Sequence, residues 1–322
     1  MAHKPSDFKV PDVYADWCPG CGDFGIMNGL QMAFAELGLE PYQIVLVSGI
    51  GCSGKEAHNV KCNGVHTLHG RTLPFSLGIK AANPNLEVVA IGGDGDGLGI
   101  GAGHFVNAGR RNLDITYIIH NNGVYGLTKG QASPTLRREQ KTKSIPKPNI
   151  NEPVNPIGLA VTAGFTFAAR SYAYDVRHLK DTIKLAVQHK GMAFVECLQP
   201  CPTYNDITTR DWYAGEDRKD AQGKPQSRLY KLEESGGWDP VVKDWGEDWK
   251  KRVVALEKAQ EWGDRIPLGV FYRNELEPTF QERYGDRIPF YLERPPAKQR
   301  LSDEFGLSHV NLSEFLDELK TS

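Results

Sequence analysis

The sequence has few cysteines, almost no net charge and no long apolar run. Its 322 residues include 38 Lys and Arg against 40 Asp and Glu, which gives a formal net charge of -2. A charge this close to zero gives no reason to expect a nucleic-acid or membrane-surface partner. No apolar run approaches the length that spans a bilayer, and the first ten residues are polar rather than signal-like. We therefore expect a cytoplasmic protein with no membrane or nucleic-acid contacts.

Six cysteines in a chain of this length are too few for a disulfide scaffold. Cys18 and Cys21 form a C-x-x-C pair, whereas Cys52 and Cys201 each follow a predicted strand. Four thiolates suit a [4Fe-4S] cluster, and one C-x-x-C pair with two distant cysteines fits iron–sulfur ligation better than a zinc ribbon. Structural zinc and a thioredoxin-like redox pair stay open as alternatives.

Two cysteines remain outside that set. Cys197 alternates with Val195 on a predicted strand, so we interpret it as a small buried hydrophobic residue. Cys62 lies in a glycine-containing loop, and the sequence assigns it no role.

Apolar runs alternate with segments of helical spacing over the first two thirds of the chain. The predicted strands are residues 42–48, 86–91, 115–119 and 192–198, and the predicted helices are residues 26–37, 75–82, 101–111 and 176–189. This alternation predicts an α/β fold with a doubly wound, mostly parallel sheet. The alternation fades from about Pro202, so we predict an α/β domain over residues 1–205 and a C-terminal extension over residues 206–322.

The most specific pattern is Gly93-Asp94-Gly95 followed, after 25 residues, by Asn121-Asn122. In a right-handed βαβ unit, both ends of this pattern fall at the carboxyl ends of adjacent parallel strands. Glycines there leave backbone amides open to a diphosphate. Asp94, Asn122 and the Val124 carbonyl offer the oxygen ligands that Mg²⁺ prefers. The pattern therefore predicts a site for a diphosphate and magnesium.

Gly-Asp-Gly followed by Asn-Asn at this spacing resembles the motif of thiamine-diphosphate enzymes. The strings 93–101 and 122–131 resemble, more narrowly, the β subunits of 2-oxoacid:ferredoxin oxidoreductases, and this resemblance covers about residues 14–205. By resemblance, Asp94, Asn122 and Val124 hold magnesium, and Cys18, Cys21, Cys52 and Cys201 hold a [4Fe-4S] cluster. The resemblance places thiamine diphosphate on Ile50, Gly51, Cys52, Ser53, His69, Gly95, Asp96, Gly126 and Leu127.

Four residues are candidates for catalytic roles. Lys55 lies three residues beyond Cys52, where its ammonium group is placed to meet a substrate carboxylate, although a solvated lysine explains the position equally well. His69 matches a cofactor-contacting histidine of the family, whereas alone it would be interpreted as structural. Leu127 and Lys129 follow the predicted metal loop and are candidates for shaping the acyl pocket.

The resemblance implies oxidative decarboxylation of a 2-oxoacid, such as pyruvate or 2-oxoglutarate, to acyl-CoA and CO₂. Coenzyme A would take the acyl group, and ferredoxin would take the electrons. Only one diphosphate-type unit is found in this chain. By resemblance, the pyrimidine-binding domain and the activating glutamate belong to an α subunit, so the minimal active unit is expected to be at least a heterodimer. The extension is expected to contact that subunit. The preferred 2-oxoacid and the full oligomer are not determined by the sequence.

Two other classes of protein are alternatives to this interpretation. A non-redox thiamine-diphosphate decarboxylase or carboligase would keep the metal motif but would not need four thiolates. An iron–sulfur electron-transfer subunit would keep the cysteines but would not need Asp94 and Asn122. The sequence carries both sets of residues.

Overall fold

The computed structural model describes residues 3–308, 311, 313–318 and 320. Its strands are β1 (Ile44–Ser48), β2 (Asn63–His66), β3 (Glu87–Gly93), β4 (Ile115–Asn121), β5 (Val124–Tyr125), β6 (Gln131–Ala132), β7 (Phe167–Tyr172), β8 (Met192–Leu198), β9 (Leu229–Lys231) and β10 (Ile266–Arg273). Its helices are α1 (Asp23–Glu36), α2 (Glu56–Asn59), α3 (Thr72–Ala82), α4 (Ala102–Arg111), α5 (Pro156–Ala163), α6 (Val176–Gln188), α7 (Arg210–Ala214), α8 (Asp248–Ala259), α9 (Phe280–Arg287) and α10 (Ser313–Glu318).

Eight strands form one sheet in the order β2-β1-β3-β4-β8-β7-β10-β9. Every neighbouring pair in it is parallel except β7 with β10. The prediction of a mostly parallel, doubly wound sheet is therefore confirmed. The four predicted strands correspond to β1, β3, β4 and β8, and the four predicted helices correspond to α1, α3, α4 and α6.

An apolar core lies on each face of the sheet. α1 and α6 cover one face, where they pack on side chains such as Ile118, and α3, α4, α5 and α8 cover the other, where they pack on Tyr117. Tyr117 and Ile118 enter different cores because successive side chains of a strand point to opposite faces. Phe105 of α4 and Leu179 of α6 are fully buried, and each burial stabilises the fold by roughly 1.5–3 kcal/mol. Cys197 is fully buried in the α1–α6 core, which confirms its interpretation as a small hydrophobic residue.

Residues 206–322 contribute β9 and β10 to the sheet, and β10 pairs with β7. At this junction, Arg170 of β7 is buried and donates to Glu196 Oε2 at 2.8 Å. Its guanidinium group also lies over the ring of Phe271, 5.2 Å from the centroid. The first strands of the fold and the later part of the chain therefore share one core.

The strands β1, β3, β4 and β8 all end at the same edge of the sheet because they are parallel neighbours. Open α/β sheets bind ligands at this edge. The loops that follow these strands begin at residues 49, 94, 122 and 199. In the described part of the chain, no helix is both long enough and apolar enough to cross a membrane.

Candidate active site

A cleft of about 540 Å³ opens at the carboxyl ends of β1, β3 and β4. The residues that line it are Asp23, Ile50, Gly51, Cys52, Ser53, His69, Gly93, Asp94, Gly95, Asp96, His120, Asn122, Val124, Tyr125, Gly126, Leu127 and Thr128. All nine residues that the sequence assigned to the cofactor line this cleft, together with the three assigned to magnesium.

The Asp94 carboxylate is buried at the floor of the cleft and is surrounded by donors. Its Oδ1 accepts the N–H of Gly95 at 3.0 Å, and its Oδ2 accepts the N–H of Gly123 at 3.0 Å. The hydroxyls of Ser133 and Thr135 also donate to Oδ2. Burial nevertheless raises the pKa of the Asp94 carboxyl, and these donors offset only part of that effect. A cation beside Oδ1 would favour the charged carboxylate.

Asn122 and Val124 flank Gly123, whose N–H donates to Asp94, between the end of β4 and the start of β5. The N–H of Val124 donates to Asn122 Oδ1 at 3.0 Å, and Asn122 Nδ2 donates to Gln199 Oε1 at 2.7 Å. A carboxylate, an amide oxygen and a backbone carbonyl therefore lie around one end of the cleft. This all-oxygen set fits magnesium, which binds few protein ligands and keeps its remaining positions for phosphate oxygens and water.

Two glycines determine the backbone of the cleft. A Cβ atom on Gly95 would lie 2.2 Å from Cε1 of Tyr125, so only glycine fits beneath that ring. Gly51 has a φ of +119°, a conformation that other residues rarely adopt, and its open side meets no atom within 4 Å. Gly95–Ile100 form a π-helical turn, a feature found frequently at functional sites. These positions fit the backbone cradle that a diphosphate needs.

Asp96 fastens two loops of the cleft. Its Oδ1 lies 2.6 Å from Nδ1 of His69 and accepts the backbone N–H groups of Ile50 and Gly70 at 3.1 and 2.8 Å. Thr72 Oγ1 donates to the other carboxylate oxygen at 3.3 Å. Asp96 is therefore occupied by protein donors, and its effect on a ligand in the cleft acts through the position of His69 and of the Ile50 loop.

A second buried pair, which the sequence analysis missed, also borders the cleft. His120 Nδ1 lies 2.7 Å from Asp23 Oδ1, and both side chains are almost fully buried. Among the described residues, the other ring nitrogen of His120, Nε2, has no hydrogen-bond partner. The available signal was the position of His120 at the carboxyl end of the apolar run 115–119, directly before Asn121-Asn122.

The four candidate cluster cysteines come from three segments that meet beside the cleft. The N–H of Gly22 donates to the Pro200 carbonyl at 3.4 Å, which joins the C-x-x-C loop to the loop that carries Cys201. Trp17 Nε1 donates to the Cys52 carbonyl at 2.8 Å, which joins the same loop to the segment after β1. All four thiols are free.

Burial keeps the Cys52 and Cys201 thiols protonated while no metal is bound, although hydrogen-bond donors reach two of the four sulfur atoms. Burial, followed by the Asp23 carboxylate, raises the pKa of the Cys52 thiol to about 11, and the Cys201 and Cys18 thiols raise it further. Burial also raises the pKa of Cys201, while backbone N–H groups of residues 203–205 oppose that shift. Gln199 Nε2 donates to Cys21 Sγ at 3.1 Å. Hydrogen-bond donors aimed at sulfur are typical of iron–sulfur ligands.

The four cysteines are not arranged around a single ion. Within the described ranges, no three His, Cys, Asp or Glu side chains converge as ligands of one metal ion. A four-iron cluster holds its cysteines further apart than one ion does, so the arrangement is compatible with a cluster. It does not form the compact tetrahedron of a structural zinc site.

The candidate catalytic lysines lie outside the cleft. Lys55 Nζ pairs with Asp16 Oδ1 at 2.9 Å, in a groove beside the cleft that Leu127 also lines. Lys129 is exposed at the end of the turn 126–129, with a φ of +81°. Leu127 borders the cleft with about half of its surface exposed, and His69 faces into the cleft beside Asp96. Of the four candidates, His69 and Leu127 therefore line the cleft, and the two lysines lie at its rim.

Two further groups near the site were not anticipated. Glu56 is fully buried, and neither of its carboxyl oxygens has a hydrogen-bond partner in the part of the chain that the structure describes. Burial raises its pKa well above the usual range. Cys62, unassigned by the sequence, is half-buried, and its thiol donates to the Val60 carbonyl at 3.7 Å. Burial raises the pKa of Cys62 to about 12, so its thiol is not reactive at neutral pH.

Two protein families match successive parts of the chain. The family described as thiamine pyrophosphate enzyme, C-terminal TPP binding domain, matches residues 49–197. The family described as the C terminal of the pyruvate ferredoxin oxidoreductase beta subunit matches residues 201–287. The first match contains the cleft, and the second contains β9 and β10.

Similar proteins extend over nearly the whole chain. The 2-oxoacid:ferredoxin oxidoreductase subunit beta of Saccharolobus solfataricus is 56% identical over 309 residues, which cover 95% of this chain and 97% of that protein. The 2-oxoglutarate oxidoreductase subunit KorB of Mycobacterium tuberculosis is 43% identical over 203 residues, which cover 63% of this chain and 54% of that protein. A solved structure, the 2-oxoglutarate:ferredoxin oxidoreductase from Magnetococcus marinus with 2-oxoglutarate, coenzyme A and succinyl-CoA bound, superposes with a TM-score of 0.77 and 34% identity. That match covers 99% of this chain and 96% of the other.

Proposed function

The chain belongs to the β subunits of the 2-oxoacid:ferredoxin oxidoreductases, and from that premise we propose that its cleft binds thiamine diphosphate with magnesium and that its cysteines bind a [4Fe-4S] cluster. The enzyme carries out the coenzyme-A-dependent oxidative decarboxylation of a 2-oxoacid and passes the electrons to ferredoxin. Asp94, Asn122 and the Val124 carbonyl hold the magnesium ion in this proposal. Cys18, Cys21, Cys52 and Cys201 hold the cluster.

One observation carries the assignment of the two cofactors. The oxygen ligands and the four thiols lie at the same edge of the sheet, and Cys52 lines the cleft itself. A non-redox thiamine enzyme has no use for four clustered thiols next to its cofactor. An electron-transfer protein has no use for a buried carboxylate facing an amide oxygen at the floor of a cleft.

The residues of this chain have distinct tasks in the reaction. Thiamine diphosphate, when bound, supplies the electron sink for breaking the bond between the carboxylate and the carbonyl carbon of the substrate. Asp94 and Asn122 anchor its charged end through the cation, and the absence of a side chain on Gly95 lets the Tyr125 ring pack against this turn. Leu127 covers the mouth of the cleft and excludes water. His69, held by Asp96, would contact the cofactor within the cleft.

The two lysines at the rim hold the substrate carboxylate in this proposal. Lys55 is paired with Asp16, and Asp16 is exposed. The Lys55 ammonium can therefore exchange the Asp16 carboxylate for the substrate carboxylate without complete desolvation. Lys129 follows Leu127 by two residues in the same turn. Both ammonium groups therefore lie where a small anion enters the cleft.

The active site is completed by an α subunit, which supplies the pyrimidine-binding domain and the activating glutamate. Large apolar side chains are exposed around the cleft, and exposed apolar patches favour a protein partner. They are Tyr14 (90% exposed), Leu68, Ile100 and Leu127. Phe290 and Phe305 in the extension 206–322 are also exposed, which supports a second contact with that α subunit. Free thiols and a ferredoxin partner fit a reducing, cytoplasmic setting.

The test is to co-express this chain with its α subunit, purify the complex without oxygen, and record iron content, visible spectrum and ferredoxin reduction. Several 2-oxoacids, including 2-oxoglutarate and pyruvate, are compared with and without coenzyme A. We expect a brown complex with about four irons per β chain and reduction that depends on coenzyme A. A colourless zinc protein that still binds thiamine diphosphate would refute the cluster and move the chain to the non-redox thiamine enzymes.

A further inference from the structure

The Gln199 side chain joins the two proposed cofactor sites. It is 1% exposed and directly follows β8. Its Oε1 accepts from Asn122 Nδ2 at 2.7 Å, and its Nε2 donates to Cys21 Sγ at 3.1 Å. A single amide group therefore spans the space between a proposed magnesium ligand and a proposed cluster ligand.

A backbone N–H group determines which atoms donate and which accept in this series of hydrogen bonds. The N–H of Val124 can only donate, and it points at Asn122, so the atom of Asn122 that receives it must be Oδ1. Asn122 Nδ2 then points at Gln199, whose oxygen must face it. The remaining amide nitrogen of Gln199 is thereby turned toward Cys21, and an N–H group rather than a carbonyl faces the sulfur.

The backbone and its packing hold Gln199 in this position. Its N–H donates to the Asn121 carbonyl at 2.8 Å, which continues the pairing of β4 with β8. A Cβ atom on Gly22 would lie 2.8 Å from Gln199 Cγ, so the C-x-x-C loop packs directly on this side chain. Gln199 therefore has little room for another rotamer.

We propose, on the basis of the function above, that Gln199 is a positioning residue that raises the reduction potential of the cluster and makes it respond to magnesium. An N–H donated to a cysteine ligand stabilises the more negative, reduced state of a cluster. A cation on Asn122 Oδ1 polarises the Asn122 amide, which strengthens the next hydrogen bond and in turn the bond to sulfur. The cluster thus becomes a better electron acceptor when the cofactor is in place.

The measurement is the midpoint potential of the cluster in the anaerobic αβ complex, followed by electron paramagnetic resonance with and without magnesium and thiamine diphosphate. Two variants of Gln199 distinguish its hydrogen bond to Asn122 from its hydrogen bond to Cys21. Gln199→Met keeps an unbranched shape but removes all three side-chain hydrogen bonds, including the one from Nε2 to the Pro200 carbonyl at 3.4 Å. Gln199→Glu keeps an acceptor for Asn122 and loses the N–H to sulfur. Gln31→Leu is the matched control, because Gln31 is a buried glutamine of α1 that bonds only the Phe8 carbonyl.

In the wild type and in Gln31→Leu, we expect the potential to rise when magnesium and thiamine diphosphate are added. In both Gln199 variants, the potential should start lower and should not respond. Gln199→Glu should retain wild-type affinity for thiamine diphosphate, whereas Gln199→Met should bind it more weakly. If Gln199→Met fails to assemble a cluster, the potential of Gln199→Glu and its response to magnesium test the inference.

A Gln199→Glu complex with an intact cluster and an unchanged, responsive potential would overturn the inference. A wild-type complex that contains no iron would instead overturn the proposed function, so the two failures are distinguishable.

Discussion

The two ends of the candidate site are built in different ways. At the magnesium end, the Asp94 carboxylate is already surrounded by four protein donors, and Asn122 is held by Val124 and Gln199. At the cluster end, buried thiols have raised pKa values. Hydrogen bonds hold the ligands of the magnesium end in place. At the cluster end, the thiols must lose their protons before they can bind a metal.

The difference between hydrogen-bonded ligands and protonated thiols predicts how each cofactor binds. Ligands held by hydrogen bonds need little reorganisation when a cation arrives, so the magnesium end is preorganised. Thiols must be deprotonated before they bind iron, so cluster assembly releases protons and stabilises the segments that carry the cysteines. We therefore expect magnesium and thiamine diphosphate to exchange reversibly and the cluster to remain once built.

The largest effect on activity is expected when one cluster ligand is removed and the magnesium end is left unchanged. Cys201→Ser removes one of four thiolate ligands, so iron content should fall to background and ferredoxin reduction should be lost. Thiamine diphosphate should still bind, measured by quenching of intrinsic fluorescence. Cys62→Ser is the control, since Cys62 packs against the α1–α6 core and is not among the residues that line the cleft. Loss of thiamine diphosphate binding in Cys201→Ser would show that the two ends do not form independently.

Breaking the magnesium end alone should give the converse result. Asp94→Asn removes the only carboxylate of the proposed magnesium set and leaves the hydroxyls of Ser133 and Thr135 with a weaker acceptor. We expect thiamine diphosphate affinity to fall about 100-fold or more, beyond the 10–100-fold typical of outer-shell partners. Iron content and the visible spectrum should stay at wild-type values. A colourless Asp94→Asn protein would contradict the separation of the two ends.

A smaller effect should follow from loosening the support of Asp94. Thr135 has one hydroxyl proton for two acceptors, Asp94 Oδ2 and Asn121 Oδ1. Thr135→Val keeps the shape but removes that donor, so magnesium affinity should fall about 10-fold, at the low end for such partners. Titration calorimetry of magnesium into the complex measures it. Thr162→Val, which changes a threonine on α5, serves as the control, and equal affinities in the two variants would argue against preorganisation.

The smallest effect concerns stability rather than binding. The folded-state pKa of Glu56 is raised well above 4.5 because the carboxyl is fully buried. Between pH 4.5 and the folded-state pKa of Glu56, the native state binds more protons than the unfolded state. The free energy of unfolding therefore falls as pH rises through this range. Glu56→Gln removes that dependence, and its advantage should grow with pH by about 1.4 kcal/mol for each unit of the shift.

Thermal unfolding of the wild-type and Glu56→Gln complexes at pH 5 and pH 8 measures this effect. Nearly equal melting temperatures at pH 5 and a higher one for Glu56→Gln at pH 8 are expected. A variant that is less stable at both values would mean that Glu56 has a partner in the assembled enzyme.

The sequence predicted the strands that carry uninterrupted apolar runs and missed those that do not. β4 and β8 are buried on both faces and consist largely of apolar residues, so their limits were found within two residues. β7 has Arg170 at its centre, and β10 contains Pro267 and Gly269, so neither has the composition of a central strand. Both are stabilised by pairing with each other, which no local pattern reports.

The site divides in the same way. Glycines and acidic residues at fixed spacing indicated Asp94, Asn122 and the cleft around them. Thr135, Gln199 and the Asp23–His120 pair come from segments that are separated in sequence and are brought together by three-dimensional contact. The sequence placed Lys55 and Lys129 near the substrate, but it could not predict that Asp16 draws Lys55 toward the rim.

The antiparallel pairing of β10 with β7 has a consequence for the newly made chain. More than ninety residues separate the end of β7 from the start of β10, so at roughly 5–20 residues per second β7 waits several seconds or longer on the ribosome for its neighbour. During that interval its edge is open to any other strand. A charged side chain on an open strand discourages such pairing, so Arg170 protects the nascent sheet against aggregation until Phe271 and its neighbours arrive to cover it.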